Sequence, residues 1–268
     1  PTEACLPLTP EGRSPWVRRP EQIPESPFWG VRGLEQEPRE LFDFLDDFVV
    51  LRGRWSFTRG RLSPEAYAEL LKEKAEPLLD RWKARLMEEP LIRPRARYGY
   101  FPARASGNAL RVFAPERSKV LAEWIFPRQA AGERLCLADF FAPEGFDVLG
   151  LQLVTLGREA AEFEARLFAE DRYADTFTFH GLATELTEAY AKLVHARIRR
   201  ELGLGDRGAR FSFGYPACPD LAGNGLLLEL LGGAELGVAF TEGFQMVPEF
   251  TTCALVSGHP QARAFAIT

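Results

Sequence analysis

Pro216 and Pro219 stand three apart inside Arg210–Asp220, which reads Arg-Phe-Ser-Phe-Gly-Tyr-Pro-Ala-Cys-Pro-Asp. Each proline lacks an amide N–H and has a fixed φ, so the two cannot both continue a helix. Gly214, ahead of Tyr215 and Pro216, permits backbone angles or close approaches that a Cβ would forbid. The stretch is therefore a stiff, irregular loop carrying Arg210, Ser212, Tyr215 and Cys218. Rigid loops that present backbone groups outward are where binding sites concentrate. On this physics alone an ordered connector is the plainer reading.

The chain around the loop alternates between two periods. Ser63 caps a helix with Pro64 at its first position. Tyr67, Leu70, Leu71, Leu78, Trp82 and Leu86 then recur at helical spacing, with Pro77 expected to kink the run. Leu41–Leu51 reads as a short amphipathic helix, and Arg158–Glu170 as another. A long helix is expected from Tyr173 or Phe179 to Leu202, with Leu182, Leu186, Tyr190 and Leu193 on its core face. On its other side Gly181, Thr184, Glu188, Ala191 and His195 form a second stripe, Glu188 being its only carboxylate. Taken alone, Glu188 reads as a solvated residue paired with Lys192 at i+4.

Strand periodicity fills the rest. Tyr98–Pro102 and Leu110–Phe113 flank Ser106-Gly107-Asn108 as a hairpin. Val148–Leu156 reads as a buried strand. Val238–Phe244, Thr251–Ser257 and Arg263–Thr268 are further expected strands, after a helix at 226–236. Hairpins and long helices without a βαβ rhythm predict an α+β fold: a mainly antiparallel, twisted sheet flanked by long helices. Residues 1–24, rich in proline, read as a linker or strap, and residues 25–268 as the folded domain.

A net charge of −5 argues against a nucleic-acid surface. No apolar run reaches the roughly 20 residues that span a bilayer, so no membrane role is expected. Cys5, Cys136, Cys218 and Cys253 lie far apart, which fits reduced thiols in a cytoplasmic protein. The chain does not begin with Met, which fits a fragment of a longer protein. His180, His195 and His259 have no Cys or carboxylate at ligand spacing along the chain, so no metal site is expected. Gly203-Leu-Gly205-Asp-Arg-Gly208 fits the dinucleotide fingerprint by letter, but it ends a helix rather than opening one. Gly203 reads instead as a helix C-cap. No nucleophile elbow or nucleophile–base pair appears, so no catalytic side chain is expected.

Arg-x-x-x-Gly-Tyr-Pro-Ala-Cys-Pro-Asp closely resembles the signature of the activation domain of cobalamin-dependent methionine synthase. Other blocks resemble it too: Pro27-Phe28-Trp29-Gly30, Leu51-Arg52-Gly53-Arg54-Trp55, Tyr98–Ala103, Phe126–Gln129 and Cys136–Phe141. The resemblance implies a methyltransferase component that binds S-adenosylmethionine and supports reductive methylation of oxidised cobalamin. The cobalamin would be held by a partner domain, since no Asp-x-His-x-x-Gly stretch occurs here, and a flavodoxin-like one-electron donor is implied. It assigns ligand contact to Asp46, Glu188, Arg210, Ser212, Gly214 and Tyr215. Arg210 would clamp the carboxylate, Glu188 the ammonium or the charge near the sulfonium, and Tyr215 would offer an aromatic face. Backbone groups of Ser212 and Tyr215 would read the adenine edge. Asp46 aligns only across a gap, with Asp43 and Asp47 as competitors, and a ligand-contacting Tyr of some members falls at Ala264. The rival reading is an interaction module that caps the cobalamin domain and binds no small ligand.

Overall fold

The computed structural model describes residues 7–267, so Cys5 and Thr268 lie outside the described residues. In chain order the elements are β1 (Gly30–Glu35), α1 (Pro38–Phe42), a π-helical turn (Val49–Arg54), α2 (Pro64–Leu70), a second π-helical turn (Leu71–Ala75) and α3 (Glu76–Glu88). Then come β2 (Arg95–Ser106), β3 (Ala109–Phe113), β4 (Val120–Ile125), a 3₁₀ turn (Leu137–Phe140) and β5 (Asp147–Thr155). The remainder is α4 (Arg158–Ala169), α5 (Tyr173–Glu201), β6 (Ala209–Phe211), α6 (Gly223–Leu231), a 3₁₀ turn (Gly233–Leu236), β7 (Ala239–Phe240), β8 (Met246–Val247) and β9 (Thr251–Ser257).

One antiparallel sheet runs β4-β3-β2-β5-β9-β6, and β1 pairs with the first half of β2. Its strands alternate as side chains must at period two. Val148 and Val154 of β5 face one core, while Leu149, Leu151 and Leu153 face the other. In β2, Tyr98 and Tyr100 share the first face and Phe101, Ala103 and Ala105 the second. The first face is covered by helices: Trp82 and Leu86 of α3, with Leu182, Leu186, Tyr190, Val194 and Ile198 of α5. The second is covered by α6, by Phe140 of the 3₁₀ turn and by loop residues such as Phe141 and Phe213. Each large side chain buried this way contributes about 1.5–3 kcal/mol. This is the α+β, mainly antiparallel architecture that the sequence predicts.

Several boundaries differ from expectation, each for a local reason. Leu41–Leu51 is not one helix, because Asp46 Oδ1 accepts the Val49 N–H at 3.1 Å and starts a new helical turn. Pro77 sits in the first turn of α3, and the ladder widens into a π-helical turn just ahead of it. That accommodates a ring which would strike the carbonyl of an ordinary α turn. The helix expected at 226–236 starts earlier, at Gly223, and finishes as a 3₁₀ turn. Val238–Phe244 contributes only the two-residue strand β7, paired with β8. Residues 263–267 form no strand.

The blocks singled out in the sequence meet in space. Phe28 packs edge-on against Tyr98 and Tyr100, with ring centroids 5.9 and 4.9 Å away. Arg54 donates to Glu185 at 2.7 Å, and Trp55 lies against Gly181, where a Cβ would stand 2.8 Å from the Arg54 side chain and 3.1 Å from the indole. Gly181 is thus a packing residue of α5. The proline-rich segment also inserts into the fold: buried Arg13 donates to the Phe141 carbonyl at 2.7 Å, and Ser14 to the Glu133 carbonyl at 2.6 Å.

Candidate functional site

Arg210 lies on β6, the edge strand of the sheet, opposite Val256 of β9. Alternation buries its neighbour Phe211 in the loop-covered core, which directs Arg210 toward α5. There its Nη2 donates to Glu188 Oε2 at 2.5 Å. Glu188 is therefore paired across the fold with Arg210, not along the helix with Lys192. The two side chains are partly exposed, at 25% and 32%.

The Arg210–Asp220 loop turns back on itself beside this pair. Gly214 has φ +89°, a backbone conformation that favours glycine, and a Cβ there would crowd the Leu221 side chain at 2.8 Å. Its N–H donates to the Cys218 carbonyl at 2.9 Å, and the Cys218 N–H returns to the Tyr215 carbonyl at 2.9 Å. Ser212 Oγ donates to the Cys253 carbonyl at 2.7 Å, tying the loop to β9. The Tyr215 N–H is directed at the Ser212 carbonyl, 3.4 Å away. The backbone groups expected to read an adenine edge are thus partly engaged within the loop, although each carbonyl keeps a second lone pair. The Tyr215 side chain stands out from the surface, 61% exposed.

Glu188, Arg210, Ser212 and Tyr215 line one cleft of about 440 Å³. That volume lies in the range of small-molecule sites. Gly214 shapes the loop from behind the lining. Asp46 is not among the lining residues: it is the helix-capping carboxylate described above, while Asp47 pairs with Lys83 at 2.9 Å. The opposite wall comes from Ala264, Phe265 and Ala266. Ala264 had been singled out by position, but Phe265 and Ala266 carry no signal in the sequence. The segment is held there by Phe265 packing on Phe140 and by Gln129 Nε2 donating to the Ala266 carbonyl at 2.6 Å.

The electrostatics of the cleft favour binding over side-chain catalysis. Burial pushes the Cys218 thiol up to about 12, so it carries no thiolate at neutral pH. Cys253 beneath it is likewise pushed up to about 12. His195, two turns along α5 from Glu188, is pulled down to about 4 by burial and then by the charges of Arg210 and Arg199. Its Nε2 is buried without a hydrogen-bond partner. His195 is therefore a neutral neighbour of Arg210. Gly203–Gly208 follows the end of α5 and leads into β6, so it opens no helix and does not build a dinucleotide site.

The fold defines an α+β domain with a two-sided sheet and a cleft at its β6 edge. Residues 48–268 match the family "Vitamin B12 dependent methionine synthase, activation domain", and the chain belongs to that family. It is 37% identical to the methionine synthase of Mycobacterium tuberculosis and 36% identical to that of Mycobacterium leprae, in each case over 92% of this chain. The chain spans 23% of the length of those relatives. Its fold is similar to a crystal structure of the MetH reactivation domain bound to AdoHcy, with a TM-score of 0.82 at 24% identity. That likeness covers 98% of this chain and 90% of the other.

Proposed function

We propose that the cleft between α5, β6 and residues 264–266 binds S-adenosylmethionine, and that the chain presents its methyl group to a cobalamin held by another domain of a methionine synthase. The observation that carries this reading is the Arg210–Glu188 pair at the mouth of a glycine-shaped loop. A zwitterionic amino-acid end can enter such a pair without changing its net charge. The ligand carboxylate takes the guanidinium fork and the ligand ammonium takes Glu188, so neither protein charge is left buried and alone. Tyr215 offers its exposed ring to the sulfonium, a cation–π contact. Phe211, Pro216 and Phe265 supply apolar surface for the adenosine.

Cobalamin held by another domain, once reduced by one electron from a flavodoxin-like donor, would supply the nucleophile that accepts the methyl group, while Arg210, Glu188 and Tyr215 of this chain would hold the S-adenosylmethionine that gives it up. The chain orients the methyl donor and limits water at the sulfonium. Cys218 and Cys253, held as thiols by burial, offer no competing nucleophile beside the cleft. Residues 1–24 are read as a strap and 25–268 as the activation domain itself. The AdoHcy bound to the MetH reactivation domain supports this choice of ligand. Among the described residues no helix is long and apolar enough to cross a membrane.

Isothermal titration with S-adenosylmethionine tests the binding step, and a methylation assay with cobalamin-loaded partner and reductant tests delivery. Saturable one-to-one binding that accelerates cobalamin methylation is expected. Failure to bind would leave only the capping-module reading.

A further inference from the structure

Glu164 of α4, His180 of α5 and Glu249, which leads into β9, come together away from the cleft. One ligand atom from each lies within 4.8 Å of the other two. His180 Nδ1 and Glu164 Oε1 are 2.7 Å apart. Among the described residues, neither carboxylate is ion-paired with a lysine or arginine, and Glu164 pairs with the His180 imidazole. Two carboxylates converge there with at most one imidazolium to offset them.

The three groups stand on a rigid base. Each is next in sequence to a buried phenylalanine: Phe163, Phe179 and Phe250. Those rings pack together, with centroids 4.8 Å apart for Phe163–Phe179 and 6.2 Å for Phe179–Phe250. The Phe250 ring also meets the His180 imidazole at 5.6 Å. The backbone under all three ligands is thereby fixed by core packing, which is how a metal site keeps its geometry. One imidazole and two carboxylates suit a divalent transition ion with bonds of about 2.0–2.2 Å, and three protein ligands leave a fourth position open.

We propose that Glu164, His180 and Glu249 bind a zinc-class divalent ion. The ion pins the α4–α5 hairpin to the segment that leads into β9. This site is independent of S-adenosylmethionine binding. The deciding experiment is isothermal titration of Zn²⁺ into the tag-free, chelator-stripped 268-residue chain, with Co²⁺ absorption as a second reading of ligand geometry. One equivalent is expected to bind. Glu249→Gln and His180→Ala should each lower the affinity at least about tenfold, since even outer groups around metal ligands are worth 10–100-fold. Zn²⁺ should raise the melting temperature of the wild type and not of either variant. Both changes are at partly exposed side chains, and circular dichroism checks that each variant folds. No binding, or equal affinity in wild type and Glu249→Gln, overturns the proposal.

Discussion

Two arginine–carboxylate pairs in this molecule use the same chemistry to opposite ends. Arg128 and Asp139 are buried, with side chains 8% and 0% exposed, and Arg128 forks onto both carboxylate oxygens at 2.6 and 2.9 Å. The same guanidinium donates to the Arg134 carbonyl and to Asn108, and Asp139 also accepts the Cys136 N–H. Four of the five guanidinium N–H groups are used, so the buried pair holds loops to the sheet and offers little outward. Arg210 and Glu188 make a single contact at the edge of a cleft, leaving donors on one side and acceptors on the other. A saturated pair is architecture; an unsaturated, half-exposed one can be exchanged for a ligand.

The largest expected effect breaks the buried pair. Asp139→Ala should lower unfolding free energy by about 3–5 kcal/mol, since it strands the Arg128 charge. Urea denaturation measures this, and a loss below 1 kcal/mol would erase the distinction from the cleft pair. Arg210→Ala should reverse the pattern: S-adenosylmethionine binding weakened by about 1.5–3 kcal/mol, with stability shifted by no more than about 1 kcal/mol. Equal titration curves for the two proteins would remove Arg210 from the site.

Glu188→Gln keeps a neutral acceptor for the ligand ammonium and should cost binding about 1 kcal/mol, with helix content unchanged by circular dichroism. His195 sharpens the comparison through pH. Its folded value near 4 lies below the usual 6.5, so between those values the unfolded chain binds more protons. Its contribution to stability is present above pH 6.5 and declines as pH falls toward 4. His195→Gln should flatten that part of the stability–pH curve, and an unchanged curve would mean His195 is not neutral beside Arg210. The smallest effect belongs to Lys192→Ala. With Glu188 committed to Arg210, both stability and affinity should move by less than about 0.5 kcal/mol.

Much of this was legible because local rules carried it. The α5 stripe of Leu182, Leu186 and Tyr190 and strand β9 at Thr251–Ser257 lie where periodicity places them. Arg210, Ser212 and Tyr215 stood out through the proline-bound loop, and Glu188 through its place in the family pattern. Asp46, aligned only across a gap, does not line the cleft and accepts the Val49 N–H instead. Residues 263–267 looked like a strand by composition.

Sequence alone determined what propagates along the chain: the helix stripes, the strand alternation, the stiffness of Arg210–Asp220, and a residue pattern shared with a family. Tertiary structure decided what depends on distance between remote segments. Only there does Glu188 leave Lys192 for Arg210, the C-terminal Phe265 close the cleft, and Glu164, His180 and Glu249 converge over three packed phenylalanines. The physical reason is that spacing fixes which face a side chain occupies on its own element, whereas its partner is chosen by how the elements pack.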